Sequence, residues 1–249
     1  MKTRLTITVL AALAALLWPA AADAGRNDLF GQANAAYDRG EFEQAAALYR
    51  EIIDQDGLSA GLLYNLANCY AATGRTGLAV LNYERALRLA PADADIQANL
   101  ALVRKDGGLP EVVHPGWQRI AALLPADGWL LLATGGLIVC SVLLLLSLRL
   151  TGPGRRLLLF PLLFCLAIIG TGLSAAWIGY QSWQDCVVIN PGGRLLISPF
   201  AGAESRGPIR EGSLVRPLKE HQGYVLVRDR NGRQGWIPRE EMACIVPVN

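Results

Sequence analysis

The sequence predicts a multidomain membrane protein, with an α-helical repeat region, a two-helix transmembrane hairpin and a small all-β barrel. Three observations predict it. Two uncharged stretches, residues 128–148 and 157–179, lie eight residues apart. Ahead of them, residues 25–104 carry a helical pattern that returns after 34 residues. Behind them, residues 183–249 hold short β runs broken by turn residues. The 249-residue chain has a formal net charge of +2, so it lacks the basic stripe that nucleic-acid binding needs.

The N-terminus comes first. Lys2 and Arg4 precede an apolar run from Leu5 to Ala22, and Ala22 and Ala24 fit a small-x-small cleavage site. Residues 1–24 are expected to be a secretory signal peptide. An uncleaved anchor is the alternative, and either form exports the segment that follows.

In residues 25–104, Asn65, Leu66, Ala67, Asn68, Cys69 and Tyr70 precede Gly74, Ala79, Tyr83, Ala86 and Pro91. These small and aromatic residues fall where two antiparallel helices need close approach and fillers. Moving back 34 residues finds Ala33, Asn34, Gly40, Ala45 and Tyr49 at matching places. This pattern resembles the tetratricopeptide repeat. Tyr37 is one residue out of step with Tyr70, and Gly57 stands where the second repeat has Pro91. Residues 95–104 predict a further helix that caps the array, since a helical repeat needs its last apolar face covered.

Residues 105–127 contain Gly107, Gly108, Pro110, Pro115 and Gly116, which is linker chemistry. Trp117, Ile120, Ala121 and Leu124 fall at helical spacing. They suit either a helix lying in the membrane interface or an extension of the first membrane helix.

Each uncharged stretch is long enough to cross a bilayer, which takes roughly 20 apolar residues. The loop over 149–156 contains Arg149, Arg155 and Arg156 and no acid. Its shortness enforces a hairpin, and its arginines mark the cytoplasmic side. The predicted location is a bacterial inner membrane, crossed twice, with the N- and C-terminal domains periplasmic. No ionisable side chain interrupts either stretch, which argues for an anchor over a conduction path. Gly135, Gly136, Gly170, Gly172 and Ser174 would let the two helices approach closely.

From Cys186 onward, β runs are expected at 186–189, 194–199, 212–215, 223–228, 235–237 and 243–246. Asn231 and Gly232 form a strong hairpin-turn signal. Ile197, Ser198, Pro199, Glu211, Gly212, the Tyr224 strand, Gly235, Trp236 and Ile237 together resemble a bacterial SH3-like domain. Cys186 and Cys244 bracket this segment. In an exported domain they are a candidate disulfide, and closing so long a loop is worth about 2–4 kcal/mol. Cys69, Cys140 and Cys165 read as packing residues.

Enzyme chemistry finds little support. His114 and His221 are the two histidines of the chain and neither has a ligand-spaced neighbour, so no metal site or cofactor is expected. Cys244 with His221 is the sole thiol–base pairing to consider, and a structural cysteine is much the better account of it. No nucleophile-elbow or phosphate-loop motif occurs. The polar set that stands out is Asn34, Asn65, Asn68 and Asn99. Asn34 and Asn68 share one repeat position, and Asn65 and Asn99 share another. An amide accepts and donates at once, which suits an extended peptide. The resemblance implies that these positions line a concave groove. It also implies that carboxylate-binding relatives carry basic residues where this chain has Phe30, Asp95 and Asn99, which argues against carboxylate capture. A role in helix packing stays open beside peptide binding.

The module order over nearly the whole mature chain resembles the BatE-type proteins of bacterial aerotolerance operons. That resemblance implies a membrane complex with other Bat-type proteins, which carry von Willebrand factor A domains, and with a cytoplasmic MoxR-type AAA ATPase. It implies a part in envelope stress tolerance or aerotolerance. Peptidoglycan binding through the SH3-like segment is the alternative function, with Arg228, Arg230 and Arg233 as a basic tip.

Overall fold

A computed structural model of the chain describes residues 28–110, 120, 123–124, 126–148 and 158–246. The expected signal peptide at 1–24, the arginine loop at 149–156 and most of the linker, including Trp117, lie outside the described residues. The chain divides into two compact units between Arg75 and Thr76.

The first unit is three helices, α1 over 28–38, α2 Phe42–Asp56 and α3 Ala60–Ala72. Gly40 (φ 78°) and Gly57 (φ 90°) sit in the two turns, in a backbone region that excludes most side chains. Ser59 caps α3 by accepting the Leu62 N–H at 3.2 Å. Ala33, Ala36, Ala45 and Ala67 are fully buried, and their small size lets the helices approach. Tyr49 and Cys69 fill the space between.

The second unit begins with α4 Thr76–Leu89 and α5 Ala94–Asp106. Asp93 caps α5 by accepting from the N–H groups of Asp95 and Ile96 at 3.0 and 3.1 Å. The cap helix expected at 95–104 is therefore present as α5. Next come α6 Ala126–Ser147 and α7 Leu159–Trp183, two helices long and apolar enough to cross a membrane. They pack on each other through small residues. A Cβ on Gly172 would sit 2.9 Å from the Trp129 carbonyl oxygen and 3.1 Å from the Ala133 Cβ. One on Gly136 would meet Ile168 and Ile169. Gly135 and Gly170 face open space, so two of the four glycines make the contact.

The C-terminal part is a seven-stranded antiparallel sheet: β1 Cys186–Val188, β2 Arg194–Leu196, β3 Ser205–Pro208, β4 Leu214–His221, β5 Tyr224–Asp229, β6 Gln234–Pro238 and β7 Met242–Cys244. Its order is β3-β2-β6-β5-β4-β1-β7. The expected barrel is corrected here, because β3 and β7 are unpaired edges and the sheet is not closed. Both edges are short, and short edges resist further pairing. Register shifts in the β2–β3 and β4–β5 ladders bend the sheet. One face therefore wraps a single core of Val188, Leu195, Ile209, Val215, Val227 and Ile237. β3 is absent from the strands expected from sequence. Ser205, Arg206, Gly207 and Pro208 lack any apolar alternation, and proline is tolerated there because β3 is an edge.

Helix α4 docks on this sheet. The Gly77 N–H donates to Glu211 Oε1 at 2.9 Å. A Cβ at Gly77 would lie 2.6 Å from the Val188 carbonyl oxygen and 2.9 Å from the Ile189 Cα. Gly212 (φ 78°) returns the favour, since a Cβ there would meet Leu109 at 2.7 Å and Val80 at 3.3 Å. Arg85 donates to the carbonyls of Ile245 and Cys244 at 3.0 and 2.8 Å, and Arg210 donates to that of Gly108.

Candidate peptide-binding site

Tyr49 organises the asparagines of the first unit. It is 2% exposed, and its hydroxyl needs partners that water does not supply. The hydroxyl of Tyr49 donates to Asn34 Oδ1 at 2.6 Å. Asn65, on α3, stands near the same phenol and draws its pKa down against burial. The Tyr49–Asn34 bond ties α1 to α2 and orients the Asn34 amide, whose oxygen is the acceptor. An amide also carries an NH2 donor, which suits a peptide carbonyl. Both asparagines are half-buried, at the edge of the unit.

Asn68 lies on the same helix as Asn65 and is half-buried and engaged. Asn99 belongs to α5 in the second unit, and it too is half-buried and engaged. Sequence reasoning took the four as one ladder; Asn34, Asn65 and Asn68 share a unit. It missed Tyr49 as the group that holds the Asn34 amide. The signal was available, because Tyr49 lies 34 residues before Tyr83 and both are fully buried aromatics.

Burial also decides the chemistry of this unit. It pushes the Tyr49 phenol up to about 12 from its ordinary 10, and the charges of Cys69, Tyr37 and Asp38 add to the effect. It likewise pushes the Cys69 thiol up to about 11. A thiol held so high is a packing group, because the thiolate is the nucleophile. Tyr37, near Phe42 at a ring separation of 5.1 Å, is raised by the same cause. The recess between α2 and α3 lined by Phe42, Ala46, Arg50, Tyr70 and Thr73 holds about 80 Å³. A small-molecule site takes about 300–1,000 Å³.

In the sheet, Cys186 and Cys244 are direct partners in the β1–β7 ladder, and their sulfurs lie within bonding distance. Cys244 and His221 are not brought together. The ladders align Cys244 with Cys186 and Cys186 with Val215, six residues before His221 on β4. That is roughly 20 Å of extended strand. Among the described residues no group of His, Cys, Asp or Glu has the arrangement of a metal site.

The basic tip expected around Asn231 is partly spoken for. Asp229 accepts from the backbone N–H and the guanidinium of Arg233 at 2.8 and 2.7 Å. Arg228 donates to the Gln234 side-chain oxygen at 2.8 and 3.0 Å. The sheet's outer face sets Leu196, Trp236 and Leu226 side by side.

Comparison with protein families finds that residues 30–104 match the tetratricopeptide repeat. Comparison with curated proteins found no match. That family is a non-catalytic interaction scaffold, and the match runs from within α1 to within α5, including the Tyr49–Asn34 bond. The helical region of this chain is a tetratricopeptide repeat region, a module for protein–protein interaction.

Proposed function

We propose that this chain is a non-enzymatic scaffold anchored in a bacterial inner membrane. It presents the tetratricopeptide region and the sheet, an SH3-like domain, to partners on the periplasmic side. The observation that carries this reading is the docking of α4 on the sheet. Residues 76–110 precede the apolar helix pair and residues 184–246 follow it. Segments that touch must share one side of a membrane, and a two-helix hairpin returns the chain to the side it left.

Further observations support an anchor. The exposed side chains of the pair are large and apolar, among them Leu131, Leu148, Phe160 and Phe164. The hydroxyls of Thr134, Ser141, Thr171 and Ser174 each donate to a carbonyl one turn back, at 2.6–2.8 Å. They therefore enter hydrocarbon already satisfied. The arginines at 149, 155 and 156 favour a cytoplasmic loop. Within this reading the amides of Asn34 and Asn65 grip a partner's extended segment. By family resemblance the partners are membrane proteins with von Willebrand factor A domains and other Bat-type proteins, in an aerotolerance or envelope-stress complex.

Cross-linking in intact membranes, followed by identification of the captured partner, tests the proposal. Asn34→Asp keeps an acceptor for Tyr49 and removes the amide donor. It should abolish capture without loosening α1–α3. Unchanged capture would sink the groove assignment.

A second reading is peptidoglycan binding, favoured by the exposed flank of the sheet where Arg194 and Arg228 border Trp236. Sedimentation of the detergent-solubilised full chain with purified sacculi separates the two. Binding lost in Trp236→Ala and retained in Asn34→Asp would favour the wall polymer.

A further inference from the structure

The outward face of the sheet gathers cations and no acid. Along β5, Val225, Val227 and Asp229 are buried, so Tyr224, Leu226 and Arg228 alternate to the outside. Strand register carries this alternation across the sheet. Arg228 lies opposite Arg216 of β4 and Gln234 of β6. Leu226 lies opposite Lys219 and Trp236, and Trp236 lies opposite Leu196 of β2. Arg194, two residues before Leu196, shares its face and is exposed. Arg206 of β3 donates to the Gln234 carbonyl at 2.9 Å. Leu196, Trp236 and Leu226 thus form an apolar stripe, with Arg194 beyond one side, Arg228 beyond the other and Lys219 at its end.

The acids nearby are already engaged. Asp185 holds Arg216 at 3.0 Å, and the buried Asp229 holds Arg233 at 2.7 Å. Glu220 pairs with the buried Val225, so it alternates to the other face, and it stands 3.9 Å from Arg239. Among the described residues, Arg194, Arg206, Lys219 and Arg228 make no ion pair. Like charges directly opposite each other weaken a sheet, and Arg216 faces Arg228 in that way. An anion seated on this face relieves that repulsion. Protein interfaces are rich in Trp, Tyr and Arg and poor in acids, and this face is centred on Trp236 with Tyr224 nearby. Its stripe is half-buried, which offers a platform for a polypeptide and no wedge for lipid. Arginine forks match carboxylates in geometry as well as charge. We propose that the outward face of β2, β6, β5 and β4 docks an acidic segment of a partner protein, with carboxylates on Arg194 and Arg228 and an apolar side chain on Trp236. This deepens, and rests on, the reading of the sheet as a partner-binding domain.

The test uses the full chain in phosphatidylcholine nanodiscs. A fluorescein-labelled peptide, in which glutamate alternates with serine around two central leucines, is titrated by fluorescence anisotropy. A second peptide carries glutamine at every glutamate. The acidic peptide should bind saturably and weaken as sodium chloride rises. The glutamine peptide should bind at least about tenfold more weakly. Arg228→Gln should weaken the acidic peptide about tenfold. The same change should leave the thermal unfolding midpoint equal or higher, since it removes the like-charge pair. Arg39→Gln, at an exposed arginine of the first unit, should leave the affinity unchanged. No saturable binding of the acidic peptide, equal affinity for the two peptides, or an affinity unchanged in Arg228→Gln overturns the site. Sedimentation on sacculi that is lost in Arg228→Gln, without peptide binding, also overturns it and assigns the face to the wall polymer. The titration does not depend on which side of the membrane the sheet occupies. Its failure therefore leaves the anchor standing, and failure of cross-linking in membranes leaves its result standing.

Discussion

Helices α1 to α3 and helices α4 and α5 are cut from one repeat pattern, yet they bury opposite chemistries. The first group buries alanines, aromatics and a neutral hydrogen bond from Tyr49 to Asn34, with Asn65 near the same phenol. The second buries guanidinium groups and rests on a β sheet, with Arg85 gripping two carbonyls at the end of β7. The signature residues of the repeat, Ala45 and Ala79 or Tyr49 and Tyr83, are equally buried in both. They set the spacing of helices. What a helix pair then packs against is decided by residues outside the signature, here Gly77, Arg85 and Arg104. A neutral network tolerates partial exposure at low cost, whereas buried guanidinium demands partners and makes its surroundings specific.

Removing the Cys186–Cys244 pair should separate the two groups most. In an oxidising compartment, Cys186→Ser with Cys244→Ser should cost the second unit about 2–4 kcal/mol. Urea unfolding followed by hydrogen exchange should place the loss in β1, β7 and α4 and spare α1–α3. Equal stability of native and double variant, with both native thiols free by non-reducing mass analysis, would remove the bridge.

Gly77→Ala comes next. Its methyl meets the backbone at Val188 and Ile189, which cannot rotate away as a side chain would. A cost of about 1–3 kcal/mol is expected, with faster exchange in α4 and no change in α1–α3. An unaltered exchange pattern would argue that α4 does not need the sheet.

A smaller effect is expected from Tyr49→Phe. It deletes the hydroxyl bound to Asn34 and should destabilise the first unit by about 1 kcal/mol, leaving the sheet untouched. Its sharper readout is partner capture. With the amide of Asn34 no longer held, capture should fall more than stability does.

The last prediction is silent near neutrality. Burial raises the Tyr49 phenol and the Cys69 thiol in the folded state, so the folded chain holds these protons more tightly than the unfolded chain. Their contribution is fully present below the ordinary values of 9 for the thiol and 10 for the phenol, and it is lost as pH rises through about 11 and then about 12. Alkaline titration followed by tyrosinate absorbance should show α1–α3 loosening across that window. A titration step near 10, without unfolding, that disappears in Tyr49→Phe would contradict the burial of Tyr49.

The helices of the repeat were legible because their signal is local. Small and aromatic residues at fixed spacing, with Gly40, Gly57 and Gly74 at the turns, need nothing distant to make sense. Most strands were legible for the same reason. β3 was not, because Ser205 to Pro208 is a strand by virtue of its neighbour β2 and not by its own side chains. The asparagines were legible as a set. The orientation of Asn34 was not, since it depends on the hydroxyl of Tyr49, fifteen residues away.

By itself the sequence determined the helical repeats and the two apolar helices, through periodicity and composition that act over a few turns. It also pointed to Cys186 and Cys244. Only the tertiary structure decided that the sheet stays open, that Asn34 is held by a buried phenol, and that α4 rests on the sheet. That last contact joins Gly77 to Glu211 across 134 residues. A glycine whose missing side chain admits a distant backbone looks, in sequence, like any other glycine.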